Sequence, residues 1–309
     1  MKLAFLYAGQ GSQHVGMGRD LYEAYPAFRQ VLDSAPVDFD LKSLCFDGPE
    51  EQLNDTRYTQ PCMVAFAAGV TALLKEAGIV PEYAAGLSLG EYSALQCAGV
   101  FDAPTAISLV AFRGQAMANA VQGRPCGMAA VLGMDRESLK AVCAEASDAG
   151  VVECTNFNCP GQIVISGDAA AVDKAGELAK AAGAKRVLPL KVSGPFHTSL
   201  MAPAGDALRE KFQSVDFGEM EIPVLFNCLG DLKGEADTIP NLLEQQVQSS
   251  VYLEDTIRRL HDLGVDTVVE IGPGRALSGF VKKTAKDIKC YPVETAQELE
   301  AAIAALKGE

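Results

Sequence analysis

Glu82-Tyr83-Ala84-Ala85-Gly86-Leu87-Ser88-Leu89-Gly90-Glu91-Tyr92-Ser93-Ala94-Leu95 is the stretch from which the rest of the chain is read. Glu82 to Ala85 leads in as a short strand, and Leu89 to Gly99 reads as a helix. Between them stands the chain's single G-x-S-x-G. A serine on so tight a strand-to-helix turn projects its hydroxyl from the backbone, and flanking glycines let neighbouring chain approach closely. The next amide lies at a helix start, where unpaired donors and the dipole favour negative charge. That geometry suits an acyl-transfer nucleophile. Ser88-x-x-Glu91 also reads as a capping box, in which Ser88 only begins the helix. The motif by itself leaves both readings open.

At 309 residues the chain is long enough for a large core and for two compact units. Hydrophobic residues make up 49% and charged residues 21%, an ordinary globular balance. The net charge of −14 argues against broad binding to nucleic acid or anionic membrane, which needs basic surface. Nine cysteines without C-x-x-C or zinc-finger spacing are read as reduced thiols, with no metal site. The longest apolar stretch, Met63 to Leu74, is too short to span a bilayer. Lys2 followed by Leu3 to Ala8 resembles a brief signal core without a cleavage site and is read as a buried first strand. The expected location is the cytoplasm.

In chain order, Leu3 to Ala8 is an apolar run of the kind a buried parallel strand shows. It enters Gly9-Gln10-Gly11-Ser12-Gln13-His14, a glycine-rich loop that fits neither a P-loop nor the dinucleotide fingerprint. Thr59 is expected to cap an all-round apolar, buried helix with Pro61 in its first turn, running to Lys75 and stopping at Gly78. Asp102 is expected to cap another, with Pro104 in its first turn, continuing to about Val121. Arg113 lies in its middle, and periodicity alone reads it as exposed on the helix's polar side. Then the rhythm changes. Met128–Leu132, Val151–Asn156, Gln162–Ser166 and Arg186–Leu190 read as strands, with helices at Arg136–Glu145 and Ala169–Ala182. This βαββαβ order is the ferredoxin-like pattern, placed here in residues 125–192 as an insert. The larger α/β unit is assigned residues 1–124 and 193–309, with strands at Ile222–Phe226 and Thr267–Ile271 and a last helix at Ala296–Leu306. Alternating strands and helices argue for a mostly parallel, hydrolase-like sheet. Gly272-Pro273-Gly274 is read as a structural turn, because G-x-G alone is a weak anion signal.

A serine nucleophile needs a base, usually histidine, and the chain has three. His261 sits in a charged helical stretch and is read as solvated, while His14 is either near the site or exposed. His197 follows an apolar strand and a Gly-Pro turn, C-terminal to Ser88 as hydrolase order requires, and is favoured by elimination. Serine hydrolases of this order place an acid between serine and histidine, and none of the acidic residues there is marked out.

Gln10-Gly11-Ser12-Gln13, Gly86 to Ala94, Phe112-Arg113-Gly114, Asn156 to Gln162 and Gly194-Pro195-Phe196-His197 occur together in this order. The set resembles the malonyl-CoA:acyl carrier protein transacylases of bacterial fatty acid synthesis over essentially the whole chain. The resemblance implies Ser88 as nucleophile, His197 as base and later acid, and Arg113 as the grip on the malonyl carboxylate, for which a planar guanidinium is suited. It implies an oxyanion hole from the backbone N–H groups of Gln10 and Leu89, and Gln246 as the residue whose backbone carbonyl orients the histidine. Phe196 corresponds to the residue that keeps the acyl pocket small. Lys185, Arg186, Lys282 and Lys283 correspond to positions that receive the carrier, and otherwise read as solvated surface. Leu87 stands where many relatives have histidine, and Ala8 replaces a common proline, which leaves the bond chemistry intact but puts in doubt any tuning of Ser88 by a neighbouring imidazole.

The implied reaction is a ping-pong transfer through a malonyl-serine ester to the phosphopantetheine thiol of holo-acyl carrier protein. It uses malonyl-CoA and no bound cofactor, in a monomer that meets neither nucleic acid nor membrane. Oxyanion donors are worth roughly 3–4 kcal/mol each, whereas rejecting one extra methyl yields only about 1–3 kcal/mol. The rival readings are a serine esterase or thioesterase with water as acceptor, a catalytically silent carrier-binding module, and an acyltransferase serving a polyketide carrier. A buried cation facing the acyl group separates the transferase from a simple esterase.

Overall fold

The computed structural model describes residues 1–191 and 194–308. They fall into two compact units: residues 1–114, 216–226 and 257–309, and residues 115–215 with 227–256. The limits expected from the strand pattern, 1–124 with 193–309 and 125–192, stand as a proposal about the insert. Their junction at residues 192 and 193 lies outside the described residues.

The first unit is built on a four-stranded parallel sheet ordered Lys289–Val293, Thr267–Ile271, Leu3–Tyr7, Tyr83–Gly86. Leu3–Tyr7 and Thr267–Ile271 are buried at every residue, as strands covered on both faces should be. Lys289–Val293 escaped the sequence reading. It carries Pro292 and keeps four of its five residues partly open, the composition of an edge strand. The strand expected at Ile222–Phe226 shrinks to Leu225–Phe226 and a single bridge between Val224 and Ala84. Pro223 accepts from the Ala84 N–H but has no N–H to return, so the ladder stops there.

Helix Thr56–Glu76 begins one turn earlier than expected. Asp55, not Thr59, caps it by accepting from the Arg57 N–H. The Thr59 hydroxyl turns instead to the Leu53 and Asp55 carbonyls, and Pro61 sits inside the helix. Its buried Phe66, Leu73 and Leu74 each stabilise the unit by about 1.5–3 kcal/mol of burial. Helix Ala103–Ala120 starts where Asp102 accepts from the Thr105 N–H, as read from sequence. Gly272-Pro273-Gly274 is a turn whose Gly274 N–H is taken by the Glu294 carboxylate.

The second unit holds an antiparallel sheet ordered Val152–Cys159, Gln162–Asp168, Cys126–Leu132, Arg186–Pro189. Helices Arg136–Ala146 and Ala169–Ala181 supply Leu139, Val142 and Val172 to a core shared with Phe157, Ile163 and Ile165. This is the βαββαβ order of the ferredoxin-like pattern. The same unit contains helices Ala202–Phe212 and Ile239–Gln248, and residues after the latter tie back to strand Val152–Cys159. Phe157 N–H donates to the Val251 carbonyl, and Val251 N–H to that of Thr155. Among the described residues no helix is long and apolar enough to cross a membrane.

Candidate active site

Ser88 stands between strand Tyr83–Gly86 and helix Gly90–Cys97, with φ of 52°. The helix N-cap is Leu89, without a side-chain cap, so Ser88 does not act as the expected alternative, a capping-box residue. A left-handed φ outside glycine costs of order 1–3 kcal/mol and persists where the surroundings impose it. They do so here through close backbone approach. A Cβ on Gly86 would lie 2.0 Å from the Gly90 carbonyl carbon, and one on Gly90 would lie 2.2 Å from the Tyr7 carbonyl oxygen. Only glycine allows the strand, turn and helix to pack this tightly.

The glycine-rich loop passes against the same turn, since a Cβ on Gly9 would meet the Leu87 carbonyl oxygen at 2.5 Å. Leu87 is half-buried there. Gln10 is anchored by its side-chain amide, which donates to Thr56 Oγ1 at 2.8 Å. Ser12 Oγ donates to the Gly9 carbonyl, and Gln13 joins the loop to Asn54. Thus Gln10 and Leu89, whose amides were singled out as oxyanion donors, belong to two segments that touch at Gly9 and Leu87.

Arg113 is 0% exposed, which overturns the periodicity-based reading of a solvent-facing arginine. Its Nη1 donates to Gln60 Oε1 at 3.0 Å, its Nη2 reaches Ser88 Oγ at 3.5 Å, and its guanidinium carbon lies 5.3 Å from the Tyr92 ring centroid. Burial lowers its pKa from the ordinary arginine value, opposed by Tyr92 and the buried carboxylate of Glu91. Gly114 makes the arrangement possible. A Cβ there would sit 2.7 Å from the Thr56 carbonyl oxygen, so its absence lets helix Ala103–Ala120 lie against the start of the helix carrying Gln60. Sequence reasoning missed Gln60 and Glu91 as site residues. The available signal was a polar side chain in a run of otherwise apolar, buried positions.

In the second unit His197 is 3% exposed and has φ of 62°. Among the described residues Ser88 and His197 are the two non-glycine positions with positive φ. His197 Nδ1 lies 2.8 Å from the Gln246 backbone oxygen. A carbonyl only accepts, so Nδ1 carries a hydrogen, and in the neutral imidazole Nε2 is then the basic nitrogen. Gln246 belongs to the last turn of helix Ile239–Gln248, where carbonyls lack intrahelical partners. A helix-end carbonyl thus lies within hydrogen-bond distance of Nδ1, the place that an aspartate takes in other serine enzymes. Phe196 is buried, its ring folded over Gly194.

The other two histidines are placed elsewhere. His14 pairs with Glu294 and His261 with Asp287; the two histidines and Asp287 are exposed, whereas Glu294 is partly buried. Lys185, Arg186, Lys282 and Lys283 are exposed. The described cysteines are all free thiols, and among the described residues no group of three or more His, Cys, Asp or Glu could hold a metal ion.

The family model of the acyl transferase domain matches residues 4–305. A malonyl CoA-acyl carrier protein transacylase of Bacillus subtilis is 45% identical, covering 100% of this chain and 98% of that one. The crystal structure of a malonyl CoA-acyl carrier protein transacylase from Clostridium perfringens is similar with a TM-score of 0.96 at 38% identity, covering 100% and 98% of the two chains. A type II polyketide acyl carrier protein in complex with its malonyl-transacylase has a TM-score of 0.95 at 39% identity, covering 100% of both.

Proposed function

Since the chain belongs to the acyl transferase domain family, and within it to the malonyl-CoA:acyl carrier protein transacylases, we propose that the residues above carry out that reaction here. The protein transfers the malonyl group of malonyl-CoA to the phosphopantetheine thiol of acyl carrier protein by a ping-pong route, supplying fatty acid synthesis. Ser88 Oγ attacks the thioester carbon while His197 Nε2 takes its proton. The oxyanion settles on the N–H groups of Gln10 and Leu89. Collapse of the tetrahedral adduct breaks the carbon–sulfur bond, His197 protonates the departing thiolate, and malonyl remains as the Ser88 ester. The carrier thiol then attacks that ester, giving up its proton to His197, and Ser88 is released as the alcohol.

The reading rests on Arg113. A buried guanidinium that reaches Ser88 Oγ at 3.5 Å, with one edge held by Gln60, suits an acyl group ending in a carboxylate. Phe196 bounds the acyl pocket, and the thioester arrives already activated, so no resident cofactor is called for.

The test is intact-protein mass spectrometry of wild type and Ser88→Ala mixed with malonyl-CoA, followed by phosphopantetheinylated carrier. A malonyl adduct on wild type alone, passed to the carrier, is the expected result. An adduct lost to water and never transferred would make the protein a hydrolase. No adduct on folded wild type would leave a silent binding module.

A further inference from the structure

His197 holds its left-handed backbone against a cost that must be met by its neighbours. Three contacts surround it within the second unit. The Thr198 hydroxyl, fully buried, donates to the Pro195 carbonyl at 2.7 Å and so closes a ring across the histidine turn. The same oxygen accepts from the Leu200 N–H at 3.3 Å, while Met201 N–H donates to the Thr198 carbonyl at 3.0 Å. One residue further on, Ser199 is gripped by Glu153. Its hydroxyl donates to Oε1 at 2.5 Å, and its N–H lies 3.3 Å from each carboxylate oxygen. Glu153 belongs to strand Val152–Cys159, which is laddered into the antiparallel sheet and bonded to residues just beyond the helix that carries Gln246. The histidine turn and its orienting carbonyl are thus both referred to one rigid strand.

We infer that Thr198, with Glu153 behind it, is a positioning residue for the reaction: a brace that locks the strained turn so that His197 presents Nε2 in one orientation. Neither side chain touches the reacting atoms. Thr198 acts through the Pro195 carbonyl, which its hydroxyl satisfies in a buried place where an unmet acceptor would be costly. Glu153 acts through Ser199, pinning the far side of the turn to the sheet. The inference rests on His197 being the base.

The experiment compares Thr198→Val, Thr198→Ser and Glu153→Gln with wild type in the full chain. Valine keeps the shape and removes the hydroxyl, whereas serine keeps the hydroxyl. Steady-state transfer from malonyl-CoA to carrier is measured beside thermal unfolding and the imidazole 15N–1H correlation of His197. Thr198→Val is expected to lower kcat by about 10- to 100-fold, the range a misplaced catalytic group costs, with KM for malonyl-CoA within about twofold. Its His197 Nδ1–H signal should broaden or vanish. Thr198→Ser should restore both. Glu153→Gln, at the protein's margin and free of core disruption, should give a smaller loss of kcat alone. The inference is overturned if folded Thr198→Val keeps wild-type kcat, or if serine and valine are equally impaired. Should Thr198→Val not fold, an unchanged kcat in Glu153→Gln does the same. A wild type that forms no malonyl-enzyme would refute the transacylase reading instead, while the imidazole signal still reports on the brace.

Discussion

Arg113 shows how far a single residue departs from its local pattern. Its neighbours Leu109, Val110, Met117 and Ala116 mark the buried face of the helix, and Arg113 shares that face with them. A lone guanidinium among apolar groups would be prohibitive; here Gln60, the Tyr92 face and the Glu91 carboxylate compensate it. Arg113→Ala should therefore cost malonyl-CoA turnover selectively. We expect kcat/KM for malonyl-CoA to fall by at least about 100-fold, the scale of a charge-assisted bidentate contact, and acetyl-CoA turnover to change little or rise. Equal losses on the two substrates would remove the carboxylate grip from the account. The motif Phe112-Arg113-Gly114 marked the residue in the sequence, but its partner was not legible there, because the pairing with Gln60 depended on Gly114 admitting a distant helix.

At the scale of elements, the serine turn was the most legible feature, since its glycines state in sequence what the backbone must do. The start of helix Thr56–Glu76 was less so. Thr59 and Asp55 both have capping side chains; Asp55 takes the Arg57 N–H, while the Thr59 hydroxyl is spent on the Leu53 and Asp55 carbonyls. The glycine-rich loop has a tie that sequence did not suggest: His14 Nε2 bonds the Glu294 carboxylate, whose other oxygen accepts from Gly274. Burial lowers the His14 pKa, but the Glu294 hydrogen bond, the Val15 carbonyl and the Glu294 charge leave it raised overall. Other charges nearby are already engaged: Arg275 with Glu298, and Asp20 with the Ala296 N–H. A histidine whose folded pKa is raised contributes stability that is fully present below its unfolded value of about 6.5 and is lost as pH rises through the folded value. Wild type should thus exceed His14→Gln in stability at pH 5.5–6 by no more than about 1 kcal/mol, as suits a half-exposed pair, and the two should converge by pH 8–9. Denaturant melts at several pH values and two salt concentrations check this. A gap that widens with pH would show that the tie works by some other means.

For the whole molecule the governing quantity is charge. A chain of net −14 that receives an acidic carrier, as the family resemblance implies, must do so through local basic surface. Lys185 and Arg186 lie at the start of the exposed edge strand Arg186–Pro189, and Lys282 and Lys283 in the last turn of helix Ala276–Thr284. Reversing all four to glutamate should slow transfer to the carrier by about tenfold or more while leaving acylation by malonyl-CoA within about twofold, because rim charges act mainly on association. Added salt should narrow the difference. If both half-reactions drop alike, these side chains serve stability or coenzyme A binding and the docking assignment fails.

The sequence by itself determined the local chemistry: a serine on a glycine-flanked turn, the βαββαβ rhythm, and three histidines of which two lie in polar surroundings. These are properties of residue type and short spacing, and backbone sterics and side-chain periodicity act within a few residues. Only the tertiary structure decided that Arg113 is buried against Gln60, that the Gln246 carbonyl, until then implied by the family resemblance alone, stands 2.8 Å from His197 Nδ1, and that Pro223 cuts short one strand while Lys289–Val293 supplies an edge. Each of these depends on which distant segment satisfies a charge or a backbone group removed from water. That pairing is chosen by the packing of the whole unit, over separations such as 53 residues for Arg113 and Gln60 and 49 for His197 and Gln246.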